Sequence, residues 1–126
     1  MIDHISLRCR DITRARAFYD AVLAPLGYRR LFDFNDTSGY GVEHIPGSAI
    51  SFWIGQASDG TALSGHLCFR APSRAAVDAF HRAALAAGGR DDGKPGLRPL
   101  YHPNYYAAFV LDPDGHKIEA VRHQAE

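Results

Sequence analysis

The residues from His4 onward repeat from His66 onward. Set against each other without a gap, the two stretches share His4/His66, Arg8/Arg70, Ala17/Ala79, Phe18/Phe80, Ala21/Ala83, Leu23/Leu85, Ala24/Ala86 and Gly27/Gly89. Similar pairs such as Ile5/Leu67 and Leu7/Phe69 lie between them. The match runs through a strand pattern, a helix pattern and a helix stop, so it marks a duplicated supersecondary unit and not shared composition. Whatever this chain folds into has two related halves.

Each copy reads in the same way. Residues 2–9 alternate, with Ile5, Leu7 and Cys9 on one face and His4, Ser6 and Arg8 on the other, as in a half-buried strand. Asp11 or Thr13 then offers a helix N-cap, Phe18, Val22 and Leu26 form an apolar stripe, and Pro25 and Gly27 close the helix. In the second copy residues 65–71 form the strand and Pro72-Ser73 supplies the helix start. Val77, Phe80, Ala84 and Ala87 make the stripe, and Gly88-Gly89 ends it. Further strands are expected at 28–34, 40–44 and 49–54, with a turn at Pro46-Gly47, and again weakly from Arg90 and at 105–111 and 117–122. The last two form a hairpin around Asp112-Pro113-Asp114-Gly115. Residues 91–104, rich in Gly and Pro, read as a long loop that could cover a site.

The 126 residues suit a single domain over 1–126, with module 1 at about 1–56 and module 2 at about 64–123. With 46% hydrophobic and 22% charged residues the chain is too apolar for disorder. A formal net charge of +0 and no basic run leave nothing for a phosphate backbone to grip, so a small-molecule partner is expected and nucleic acid is not. No run approaches the ~18 apolar residues of a membrane span. The N-terminus lacks a basic start followed by an apolar block. Cys9 and Cys68 have no CxxC spacing and read as reduced thiols, so a cytoplasmic protein without membrane contact is expected.

Strand alternation sorts the chemistry by face. His4, Ser6 and Arg8 share the polar face of the first strand, and His66, Cys68 and Arg70 that of its counterpart. In the last strand Ile118 and Ala120 suit the core, leaving Glu119 and Val121 opposite; in the fourth, Ile50, Phe52 and Ile54 suit the core, leaving Ser51 and Trp53. If the two sheets curl toward each other, His4, His66, Glu119 and Ser51 come from four corresponding strands. Two imidazoles and a carboxylate with open positions suit Fe(II) and admit Mn(II), Ni(II), Co(II) or Zn(II). The other histidines, His44, His81, His116 and His123, read as surface or satisfied core residues.

Asp3-His4-Ile5-Ser6-Leu7, Asp11, Ala17-Phe18-Tyr19 and the closing Phe109-Val110-Leu111-Asp112-Pro113-Asp114-Gly115-His116-Lys117-Ile118-Glu119 together resemble the vicinal oxygen chelate superfamily. It includes glyoxalase I, extradiol dioxygenases, fosfomycin-resistance thiol transferases and bleomycin-resistance proteins. The resemblance covers nearly the whole chain. It implies an α+β fold of two tandem βαβββ modules that form a curved mixed sheet around a cleft, with one divalent ion per site on His4, His66 and Glu119. The glyoxalase I pattern places a fourth, carboxylate ligand where Ser51 stands here, and a serine cannot serve as the carboxylate base of that reaction. Glyoxalase I activity is therefore not expected.

The implied function is a metal-dependent enzyme, a lyase, dioxygenase or thiol transferase, acting on a small oxygen-rich molecule. His102, Tyr105 and Tyr106, near the long loop, are candidates for a catalytic acid or base, or else pack the loop. Arg8 and Arg70 could hold a substrate carboxylate or phosphonate, or be solvated strand-end residues. Trp53 could stack on a ligand or fill the cleft wall, beside Ser51 and Cys68. The alternative is a binding protein of the bleomycin-resistance type that sequesters a drug or metabolite without turnover. A homodimer is expected because each module leaves sheet edges that need partners, and exchange of modules would put His4 and the His66/Glu119 pair on different subunits.

Overall fold

Asp11, in extended conformation, caps the first helix by accepting a hydrogen bond from the Arg14 N–H, and Ser73 caps the second by accepting one from Ala76. These helices, α1 (Ile12–Leu23) and α2 (Arg74–Ala86), follow strands β1 (Ile5–Cys9) and β5 (His66–Arg70). A 3₁₀ turn at Ala24–Leu26 with Pro25 inside it, then Gly27 at φ 87°, stops α1 where the sequence indicates. The first module continues with β2 (Arg29–Phe34), β3 (Thr37–Gly41) and β4 (Ile50–Gln56), the second with β6 (Arg90–Leu97), β7 (Tyr106–Leu111) and β8 (Lys117–Arg122). The computed structural model describes residues 3–43, 50–59 and 64–126. The expected turn at Pro46-Gly47, together with Ile2, His44 and Ala49, lies outside them.

Both modules are βαβββ units with the same sheet order. β1 pairs in parallel with β4, and the first sheet runs β1-β4-β3-β2; β5 pairs in parallel with β8, and the second runs β5-β8-β7-β6. The duplication read from the sequence is therefore a duplication of topology. Two boundaries differ from expectation. β3 begins at Thr37, before the expected Tyr40, because Asn35 adopts φ 43° and reverses the chain within a short turn. The expected loop at 91–104 is β-strand as far as Leu97, with register shifts between Asp91 and Gly93 and between Gly93 and Gly96. Bulges at glycines break the alternation that would have revealed the strand.

A single cluster buries the apolar faces of both sheets and both helices. Phe18, Tyr19 and Val22 of α1, Val77 and Phe80 of α2, Phe52 and Ile54 of β4, Phe69 of β5, and Ile118 and Ala120 of β8 all belong to it. The Phe52 and Phe69 rings meet directly at 5.5 Å across the modules. Because both sheets turn their apolar faces to this one core, their polar faces are left on the outside.

The Asp112–Gly115 turn locks the modules together. Asp112 is 3% exposed; its Oδ1 accepts from the Asp114 and His116 N–H groups and its Oδ2 from the Tyr19 hydroxyl at 2.5 Å. His116, 1% exposed, donates from Nε2 to the Arg8 carbonyl and accepts the Gly65 N–H at Nδ1. His81 is likewise satisfied, by Asp91. Among the described residues no helix is long and apolar enough to cross a membrane.

Candidate functional site

On the polar face of the second sheet, Cys68 and Glu119 are register partners in β5 and β8, and Phe109 of β7 is the next partner along. Glu119 lies between Ile118 and Ala120, and at 3% exposure it is a carboxylate in a nearly closed setting. Such a charge is tolerated only when its oxygens are met. Both are: the Tyr105 hydroxyl donates to Oε1 at 2.6 Å, and His66 Nε2 stands 3.0 Å from Oε2.

Two neighbours feel that carboxylate as acids. Desolvation, then the Glu119 charge and a hydrogen bond to it, push the Cys68 thiol up to about 12. Desolvation first, then the bond to Glu119 and its charge, raise the Tyr105 phenol well above the ordinary tyrosine range. Both groups therefore stay protonated at neutral pH, as donors toward Glu119 and not as nucleophile or base.

His102 stands behind Tyr105 and not on Glu119. Its ring meets the Tyr105 ring at 5.4 Å; its Nδ1 accepts the Asn104 N–H, which leaves Nε2 to donate to His123 Nδ1 at 2.8 Å. Sequence reasoning left His123 without a role, and it had no signal to find one, because the contact spans a loop and a strand end. Tyr106 departs from expectation. Adjacent residues of an extended chain point to opposite faces, and the Tyr106 hydroxyl donates to Asp78 on α2 beneath Arg74. Its hydroxyl thus lies on the helix side of the sheet, away from Glu119.

The first module's polar face carries His4, Ser6, Arg8, Thr37, Trp53 and Gly55 around a hollow of about 270 Å³. His4 is half exposed and bonded to Asp3, and Arg8 donates to the Gln56 carbonyl. Trp53 meets Phe32 edge-on at 5.4 Å and lies against Gly39, where a Cβ would come within 2.9 Å of the indole. Ser51, Cys68 and Arg70 meet in a separate slot of about 150 Å³ at the seam, walled by Tyr28, Phe52 and Phe69. The structure thus brings His66 and Glu119 together and sets His4 on the other module's face. Among the described residues no three His, Cys, Asp or Glu side chains form a group able to hold a metal.

Comparison with known proteins decides the family. The model of the Glyoxalase/Bleomycin resistance protein/Dioxygenase superfamily matches residues 1–120. The chain belongs to that superfamily. A glyoxalase/bleomycin resistance protein from Albidiferax ferrireducens T118 is 33% identical, with a TM-score of 0.77 over 94% of this chain and 95% of that one. A glyoxalase/bleomycin resistance protein/dioxygenase family enzyme from Burkholderia phytofirmans PsJN shares the fold at 21% identity and a TM-score of 0.71, covering 98% of each chain. A glyoxalase-related enzyme from Fulvimarina pelagi shares it at 18% identity and 0.71, over 96% of this chain and 86% of the other. No curated protein matches the sequence. The superfamily fold accounts for the duplicated modules, and the polar faces of its sheets are where Glu119, His66 and His4 stand.

Proposed function

We propose that this chain is a metal-dependent enzyme of the glyoxalase/dioxygenase type acting on a small oxygen-rich molecule, and that each site is completed by a second copy. His66 and Glu119 of one subunit would hold the ion together with the second subunit's equivalent of His4. The observation that carries this reading is Glu119, a carboxylate at 3% exposure in an apolar strand with an imidazole 3.0 Å away. A buried carboxylate is costly to desolvate, and the whole polar group could be replaced by apolar residues without loss to the fold, so its presence supports a use beyond packing.

The donor set fits the group. One chain supplies an imidazole and a carboxylate on a single face, two of the three ligands, and the third lies half exposed on the first module's outer face. When bound, the ion would act as a Lewis acid toward two neighbouring substrate oxygens. Tyr105 holds Glu119 in place by donating its one O–H to Oε1, leaving Oε2 and His66 as the pair to be opened. Ser51 offers neither charge nor base, which argues for chemistry other than proton transfer between adjacent carbons.

Subunit mixing tests both halves of the proposal. His4→Ala and His66→Ala homodimers should each lose stoichiometric divalent metal. Co-refolded, they should regain one intact site per mixed dimer, read by metal analysis. A wild-type protein that takes up no stoichiometric ion would leave a binding protein as the better reading. Loss in both variants without recovery on mixing would refute the shared site.

A further inference from the structure

Next to the His66/Glu119 pair lies a cation that, among the described residues, no carboxylate answers. Arg98 is half-buried, its guanidinium centred 5.6 Å from the Phe109 ring on the polar face, and the His66 ring meets the same Phe109 at 6.4 Å. Two glycines of β6 make room for it. A Cβ on Gly96 would come within 3.1 Å of Arg98 Nη1, and one on Gly93 within 2.9 Å of the Phe109 ring and 3.5 Å of Arg98 Nη2. Arg98 donates to the Lys94 carbonyl at 2.7 Å and the Leu97 carbonyl at 3.4 Å, neutral acceptors that orient the plane; among the described residues its other N–H groups meet no further acceptor. Among the described residues no acidic side chain lies within ion-pair distance of it. Asp92 is engaged by Lys117, Asp91 by His81, and Glu119 by His66 and Tyr105. Lys117 also stands over Phe109, at 4.9 Å, with its charge met by Asp92.

We infer that the Arg98–Phe109 platform is an oxyanion subsite. The molecule handled here would carry, besides the oxygens offered to the metal pair, a carboxylate or a phosphonate-type group that takes the free edge of the guanidinium in a paired hydrogen bond. A half-buried guanidinium placed over an aromatic ring and anchored by two backbone carbonyls is preorganised for such a ligand, and a partner anion would complete its charge balance. This deepens the proposed function by naming a substrate class, and it rests on the second sheet's polar face as the site.

The test uses chelator-stripped full-length protein, so that failure of the metal proposal leaves it readable. Inorganic phosphate, methylphosphonate and malonate are titrated at constant ionic strength and followed by calorimetry and thermal shift, with chloride as the reference anion. Saturable binding that weakens on the order of tenfold in Arg98→Gln, less in Arg98→Lys, and persists in His66→Ala is the expected result. The phosphonate and malonate arms tell the two oxyanion classes apart. Circular dichroism checks that Arg98→Gln is folded, and Arg82→Gln on α2 serves as a charge-matched control. Equal binding by wild type and Arg98→Gln, an equal loss in Arg82→Gln, or no saturable binding by the wild type would each overturn the inference.

Discussion

Tyr19→Phe should destabilise the chain far more than Tyr40→Phe, although both changes delete one phenol–carboxylate hydrogen bond. Tyr19 is 1% exposed and its partner Asp112 is 3% exposed, so the orphaned carboxylate oxygen cannot be reached by water. Tyr40 donates at 3.1 Å to Asp20, whose side chain is 40% exposed and already bridged to Arg30, so the lost bond is replaced by hydration. A hydrogen bond to a charged group contributes about 2 kcal/mol when its loss leaves that group unsatisfied, and about 0.5 kcal/mol when water takes over. For a chain of this length the first figure corresponds to a fall in Tm on the order of 8 °C. Urea denaturation at pH 7 with a common m-value gives the comparison directly.

The pH dependence adds a second check. Burial, then the charge of Asp112 and the bond to it, raise the Tyr19 phenol well above its ordinary value of 10.0. An acid whose folded pKa is raised contributes stability that is fully present below its unfolded pKa and is lost as pH rises beyond it. The gap between wild type and Tyr19→Phe should therefore hold from pH 7 to about 9 and narrow above about 10. Equal costs for the two variants, or a gap that widens in alkali, would refute the account of Asp112 as a buried acceptor.

Other outcomes follow from the polar faces. In chelator-stripped protein on a Cys9→Ala background, Cys68 should alkylate slowly at pH 8. Glu119→Gln should speed it roughly tenfold, because burial, the largest cause of the raised thiol, remains while the carboxylate's charge and hydrogen bond are removed, so the thiol falls part of the way from about 12 and the thiolate fraction rises; an unchanged rate would contradict the coupling. Gly39→Ala should cost about 1–3 kcal/mol by overpacking. It should also shift the emission of Trp53, the sole tryptophan, since the new Cβ falls 2.8 Å from Ile50 and 2.9 Å from the indole. An unmoved spectrum would show that the indole does not rest on Gly39.

Much of the fold was legible because its signals are local. Period-2 alternation set the faces of β1, β5 and β8, and Asp11, Ser73 and Gly27 marked helix ends where their side chains or backbone freedom act. Of β6 only a weak start at Arg90 was legible, because Gly93, Pro95 and Gly96 make the rest of a bulged edge strand resemble a loop. At the site, alternation assigned Glu119 and His66 to one face, and their 3.0 Å approach follows from the parallel pairing of β5 with β8. It could not say which sheet faces which, and so could not place His4. Nor could a strand boundary one residue away separate Tyr105, which reaches Glu119, from Tyr106, which reaches α2.

The shared core has a consequence for how such a chain can change over time. Were the second module lost, Phe52 would lose the Phe69 ring, Tyr19 would lose Asp112, and the apolar side of α1 that now meets α2 would be bare. A half-length descendant would have to cover those surfaces in some other way before it could fold as a single module. Each half can diverge in its outer face, as Ser51 and Glu119 have in corresponding strands, but the inner faces must vary together. The duplication behaves as a ratchet.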